Sequence, residues 1–216
     1  MNFYTFAREK LTQSPNEQYK GKWCDAWAVD DKYGTYEKCP LCGRPVSMLK
    51  WEEPRRIRLT NTKYSDRLSD WLNEPLVVSE RFKKAYIDAD LTGIRSFSRI
   101  DVVKVAHKKL WDPDPPNYYL ADLGFSHTVN IDTDSTIIHG QQTDWICPVC
   151  NPFGTTYDSI ERLALNTSCW DGIDIFRVYT CGFVICSEKF YEFVKLNRFT
   201  NFHLVPVDEY TWGLNA

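Results

Sequence analysis

Cys39-Pro40-Leu41-Cys42-Gly43 and Cys147-Pro148-Val149-Cys150-Asn151 hold the residues best suited to chemistry in this chain. Sulfurs separated by two residues converge on one ion, and two such pairs supply the four ligands of a closed tetrahedral Zn²⁺ site. The proline stiffens each turn. A residue that tolerates positive φ is expected after the second cysteine, so that backbone N–H groups turn toward the sulfurs; Gly43 does this freely and Asn151 is next best. The expectation is one structural Zn²⁺ held by Cys39, Cys42, Cys147 and Cys150. An exchangeable dithiol at Cys39 and Cys42 is the competing use, but two pairs with knuckle-type turns favour closed ligation.

The parts of an enzyme are not legible. His107, His127, His139 and His203 are scattered, without the spacing that sets a catalytic zinc beside a general base. Neither His127-Thr128-Val129 nor His139-Gly140-Gln141 supplies the His-x-Glu of a zinc deaminase. No phosphate-cradling glycine motif and no Gly-x-Ser-x-Gly occurs. Four-sulfur zinc is itself structural.

The elements that must position the cysteines repeat. Cys39 and Cys147 lie 108 residues apart. Ser79-Glu80-Arg81-Phe82 recurs at that offset as Ser187-Glu188-Lys189-Phe190, with apolar character kept at the flanking positions. This reads as an internal duplication within a single domain spanning 1–216, its pseudo-repeats covering roughly 39–108 and 147–216. Each half carries a knuckle, a variable stretch and a strand entering a helix. Leu76-Val77-Val78 predicts a strand, Ser79 an N-cap, and a helix to about Asp88 that buries Phe82, Ala85 and Tyr86. Ser187 predicts the matching cap, with Phe190, Phe193 and Val194 inward. Strands are expected over Lys22–Val29, Ile100–Val105 and His203–Val207, an exposed or edge strand within Val46–Thr60, and a short helix after Asp158 with Ile160, Leu163 and Ala164 inward. The fold class is α+β: a β-rich core with a few short helices, its two pseudo-repeated halves joined by a zinc-ribbon-like four-cysteine site.

A chain of 216 residues can bury about 70% of its unfolded surface, and 15% aromatics exceed what a disordered chain carries. The start has no apolar signal region and no run approaches the roughly 18 residues of a membrane span, so a cytosolic location is expected, where cysteines stay thiols and metal ligands. Cys24, Cys181 and Cys186 sit among apolar neighbours and read as core residues. Lys50, Trp51, Arg55, Arg56 and Arg58 form the one cluster suited to nucleic acid, yet a pI near 5.8 opposes a dominant basic field. Charge is segregated: residues 110–161 carry eight acids and no Lys or Arg. Asp112, Asp114, Asp132 and Asp134 are the candidate contacts of a basic partner, the first pair stiffened by Pro113, Pro115 and Pro116, the second in Asp-Thr-Asp turn chemistry.

The paired knuckles, Pro116-Asn117-Tyr118-Tyr119-Leu120, Ile175-Phe176-Arg177 and the two Ser-Glu-(Arg/Lys)-Phe helices together resemble the double-CXXCG motif family of bacterial immunity proteins, which neutralise polymorphic toxins. The sequence departs from that pattern at Asn151, where the family has glycine. The resemblance implies a cytosolic, non-enzymatic inhibitor that binds a cognate toxin domain.

Overall fold

The computed structural model describes residues 1–7, 26–29, 32–47, 49–60, 64–68, 76–105, 115–180 and 182–213. Two strand-to-helix units set its frame. Leu76–Ser79 forms β5 and runs into α1 (Glu80–Asp88); Val184–Ser187 forms β13 and runs into α2 (Glu188–Leu196). The turn from strand to helix is fixed by the serine at the junction. Ser79 Oγ accepts from Phe82 N and Ser187 Oγ from Phe190 N, both at 3.2 Å, which satisfies one otherwise orphaned donor of each first turn.

Each unit lies in a sheet built to the same plan. In the first, Arg67–Leu68 (β4), β5, Tyr118–Leu123 (β7), Ile94–Val105 (β6), Arg56–Leu59 (β3) and Ala26–Val29 (β2) follow in that order. In the second the order is Ile175–Arg177 (β12), β13, Phe3–Phe6 (β1) and Leu204–Pro206 (β14). Arg67 pairs with Val78 and Leu68 with Val77; 108 residues on, Ile175 pairs with Cys186 and Phe176 with Ile185. The third strand of each sheet is exchanged between halves. β7, from the stretch leading into the second knuckle, sits beside β5 with Tyr118 opposite Ser79, while β1, from the stretch leading into the first, sits beside β13 with Phe3 opposite Ser187. The halves are therefore interlocked by strands rather than stacked side by side.

The two helices meet over a shared core. Phe82 and Phe190 are fully buried with ring centroids 6.2 Å apart, and Phe193, Phe199, Leu76, Val78, Leu123 and Cys186 close around them. Burial of one such phenylalanine contributes about 2–3 kcal/mol. A second cluster around Ile160, Leu163, Phe176 and Ile185 backs the four-stranded sheet, and a third around Ile57, Leu59, Ile100 and Tyr118 backs the six-stranded one.

The β-rich α+β architecture is as expected, with two α-helices among the described residues. Two elements differ. Ser159–Arg162 is a strand, β10, paired with Ile137–His139 (β9), not a helix: Ile160 is buried, and a register shift between Ile160 and Arg162 leaves both Glu161 and Arg162 exposed. The strand inside Val46–Thr60 is interior, antiparallel to β2 and parallel to β6, so its arginines alternate with the buried Ile57 and Leu59 on one face of a paired strand. The Ile100–Val105 strand begins earlier, at Ile94. Of the strand expected over Lys22–Val29, Ala26–Val29 is present; residues 22–25, Cys24 included, lie outside the described residues, as does Cys181.

Candidate metal centre

Each cysteine pair sits at the tip of a two-stranded arm. In residues 32–52, Glu52 N donates to Lys32 O, Gly34 N to Lys50 O, Val46 N to Glu37 O and Cys39 N to Arg44 O, an antiparallel ladder that ends in the first knuckle. In residues 137–162 the ladder runs from β9 and β10 through Thr156 N to Gln141 O and Thr143 N to Gly154 O, ending in the second. The same bond closes both tips: Gly43 N donates to Cys39 O and Asn151 N to Cys147 O. Gly43 has φ of +72° as expected. Asn151 does not take a positive φ. It is buried and secures its turn by side chain instead, its Nδ2 donating to Thr143 Oγ1 and Trp145 O at 3.0 Å each.

The tips meet. All four sulfurs lie within 4.8 Å of one another, with Cys39 and Cys147 Sγ 3.9 Å apart and Cys42 and Cys150 Sγ 3.5 Å apart. A tetrahedron of Zn–S bonds near 2.3 Å has edges of about 3.8 Å, so the donor set and its spacing fit such an ion. Cys39, Cys147 and Cys150 are buried and Cys42 is exposed. Burial alone would raise the Cys147 thiol, but the N–H groups of Cys150 and Val149 and the thiols of Cys150 and Cys42 bring it down to about 7. Burial and the sulfurs of Cys42, Cys39 and Cys147 push Cys150 upward. Four thiolates cannot sit this close without a cation among them; a metal ion would complete their ionisation and release protons as it bound.

Contacts behind the knuckles orient them. Arg44 lies over the Trp145 ring at 4.4 Å, joining one arm to the other. Arg95 Nη2 donates to Glu37 Oε1 and Asp122 Oδ1, both at 2.9 Å, and ties the first arm to the six-stranded sheet. Burial would raise the Glu37 pKa, yet Arg95 and Lys50 hold it below the usual range. Thr180 Oγ1 donates to Val149 O at 3.2 Å behind the second knuckle.

A sequence model of the Immunity protein family (Imm11) matches residues 5–209. The chain belongs to the Imm11 immunity protein family. No curated protein matches it. The match takes in both knuckles of this Imm11 chain, both strand-to-helix units and the exchanged strand β7.

The acidic candidates fare unevenly. Asp132 serves its own turn: it accepts from Asp134 N at 3.1 Å, and hydrogen bonding from Ser135, against a smaller effect of burial, lowers its pKa. Asp134 is exposed in that turn. Asp112 and Asp114 lie outside the described residues. Within the basic and aromatic cluster, Trp51 is buried and Arg55 Nε donates to the Trp51 carbonyl. No helix among the described residues is long and apolar enough to cross a membrane.

Sequence reasoning missed a second polar constellation. Ser79 Oγ donates to Asp66 Oδ1 at 2.9 Å, and Asp66 Oδ2 accepts from Thr200 N at 2.9 Å, reaching across to the other half. At the mirrored position Ser187 Oγ donates to Asp174 Oδ1 at 2.9 Å, and Asp174 Oδ2 accepts from Thr92 N at 3.0 Å. Arg81 and Lys189 complete the pairs. The signal was available: Asp66 and Asp174, like Thr92 and Thr200, stand at the 108-residue offset.

Proposed function

We propose that this chain is the inhibitor of a toxin–immunity pair, binding and neutralising a cognate toxin domain with a basic surface, such as a nuclease, and carrying out no reaction itself. The family match over residues 5–209 carries this reading. Charge supports the choice of partner: residues 110–161 hold eight acids and no Lys or Arg, and Asp134, Asp144, Asp158 and Glu161 are exposed. Such a field steers a basic protein and sets which partner is accepted more than it adds affinity. Asp112, Asp114 and Asp134 are its proposed contacts on this reading, with Asp132 shaping the turn that presents Asp134.

The cofactor we assign is a structural Zn²⁺ on Cys39, Cys42, Cys147 and Cys150, supported by the four-sulfur donor set and its spacing. It belongs with a cytosolic site of action, where thiols persist. The shared strand order, the matched registers and the paired Asp66 and Asp174 bonds support a duplicated unit, around 39–108 and 147–216, fused into one domain.

The test is co-expression with the toxin domain encoded by the adjacent gene. Co-purification of the two and survival of toxin-expressing cells are expected. A charge-reversed Asp114→Lys, Asp134→Lys protein should associate more slowly and with a flatter salt dependence. Unprotected cells and no complex would retire the immunity reading; unchanged association by the reversed protein would retire the acidic contacts alone.

A further inference from the structure

We infer that the tip of the 137–162 arm is the toxin-docking surface, with Ile146 as its apolar anchor. This rests on the immunity reading above and adds the place and chemistry of contact: a protein surface that offers an apolar pocket rimmed by Lys and Arg.

Ile146 is 74% exposed although the next residue, Cys147, is buried in the thiol cluster. Leu41, between Cys39 and Cys42, is 62% exposed. At the 108-residue offset Ile146 corresponds to Lys38 and Leu41 to Val149, and Lys38 serves the same turn as a cation. An apolar group kept in solvent at a position where its counterpart is charged points to a partner.

The anchor is also held still. Trp145 before it is covered by Arg44, and the Trp145 carbonyl accepts from Asn151 Nδ2 and Thr143 Oγ1. Gly154, at φ of +62°, lies under the side chain; a Cβ there would stand 2.8 Å from Ile146 Cγ1, so the glycine makes the floor on which the isoleucine rests. A β-branched side chain on a rigid turn loses little freedom on binding. Leu196, exposed at the last turn of α2, and Ile87, exposed on α1, have no such framing and stand singly among polar helix residues.

Charge selects the occupant. The arm that carries Ile146 has Asp144, Asp158 and Glu161 against one cation, Arg162, whose Nε is engaged by Ser135 O at 2.8 Å. The facing arm, residues 32–52, has four cations against two acids. A basic partner is therefore drawn to the second arm and away from the first.

The probe is the inactive toxin domain from the adjacent gene, titrated with full-length protein in its metal-loaded form. Ile146→Asp should weaken binding at least about tenfold, as expected for a buried interface anchor, with bound metal and melting temperature as in the parent. Ile146→Thr keeps the branched shape and should lose less, separating an effect at the interface from one on the knuckle. Ile87→Asp should bind as the parent does. Parent-like binding by Ile146→Asp would overturn the docking surface and leave the immunity function standing. A parent that does not bind would overturn both. A dimeric parent made monomeric by Ile146→Asp with toxin binding intact would assign the surface to a second copy of this chain, which also overturns the proposal.

Discussion

Every residue of the repeated Ser-Glu-(Arg/Lys)-Phe motif has a separate physical task. The serine caps the helix and donates to a buried aspartate; the glutamate accepts from Asn117 in the first half and from Asn2 in the second, next to the exchanged strands. The basic residue closes on the same aspartate, and the phenylalanine enters the shared core. The motif and its cap were legible because N-cap chemistry is local. The aspartates carry no such local signal, standing 13 residues upstream of the serines, and the 108-residue offset alone marks them. Loss of a cap and of a hydroxyl donor to a buried carboxylate together should cost about 2 kcal/mol, so Ser79→Ala and Ser187→Ala are each expected to lower stability by similar amounts in urea denaturation. An effect at only one site would break the equivalence of the halves. Asp66 adds a pH dependence. Burial would raise its pKa, but Arg81, the Thr200 N–H and the Ser79 and Thr200 hydroxyls hold it below the usual carboxylate range. A depressed folded pKa gives stability that is present above the unfolded value, about 3.9, and lost as pH falls through the folded one. Thermal melts should therefore show an acid limb below about pH 4, and Asp66→Asn should shrink it while lowering the melting temperature at pH 7. An unchanged limb in that variant would show that other carboxylates dominate.

Strand-to-helix units, with their short β-branched strands and flanking caps, were readable in order along the chain, whereas the strand exchange was not. β1 is a four-residue strand in a stretch without clean period, and nothing local in Phe3-Tyr4-Thr5-Phe6 says that its partner lies near residue 186. The Ser159–Arg162 segment shows the opposite failure. Asp158 and Glu161 imitate a capping pair, but the antiparallel ladder of the arm, continuous with the second knuckle, overrides that propensity. The structural consequence is testable at β1. Phe3, Tyr4 and Thr5 are buried, and β1 is the only strand between β13 and β14. Deleting residues 1–7 should therefore expose both neighbouring edges and the Phe3 and Tyr4 pockets, with loss of cooperative unfolding and a tendency to associate. A sharp thermal transition from a monomeric truncated chain would show that the second sheet closes without the exchanged strand.

On the scale of the whole molecule, two kinds of attachment join the halves, and they differ in what sustains them. The exchanged strands and the helix pair rest on an aromatic core of their own. The arm tips do not: among the described residues, Val46, Trp145 and Val149 are the apolar side chains packed against Cys39, Cys147 and Cys150. With so little apolar surface at their tips, the arms would depend on a bound ion, and apparent binding energies of structural zinc, about 10–16 kcal/mol, equal or exceed the stability of a whole domain. Metal loss is thus expected to act in two stages. Chelation should first release the arms, raising hydrogen exchange in residues 32–52 and 137–162 while β5, α1, β13 and α2 stay protected, and should lower the melting temperature because Glu37 and Thr180 couple the arms to the body. Cys147→Ser should reproduce both effects, since three ligands leave the site open. Protein purified without chelator should contain about one zinc per chain by elemental analysis. Less than half an equivalent, or a Cys147→Ser protein whose melting and exchange match the parent, would mean that the two arms hold together through Arg44, Trp145 and their backbone ladders alone, and the metal centre would lose its structural role.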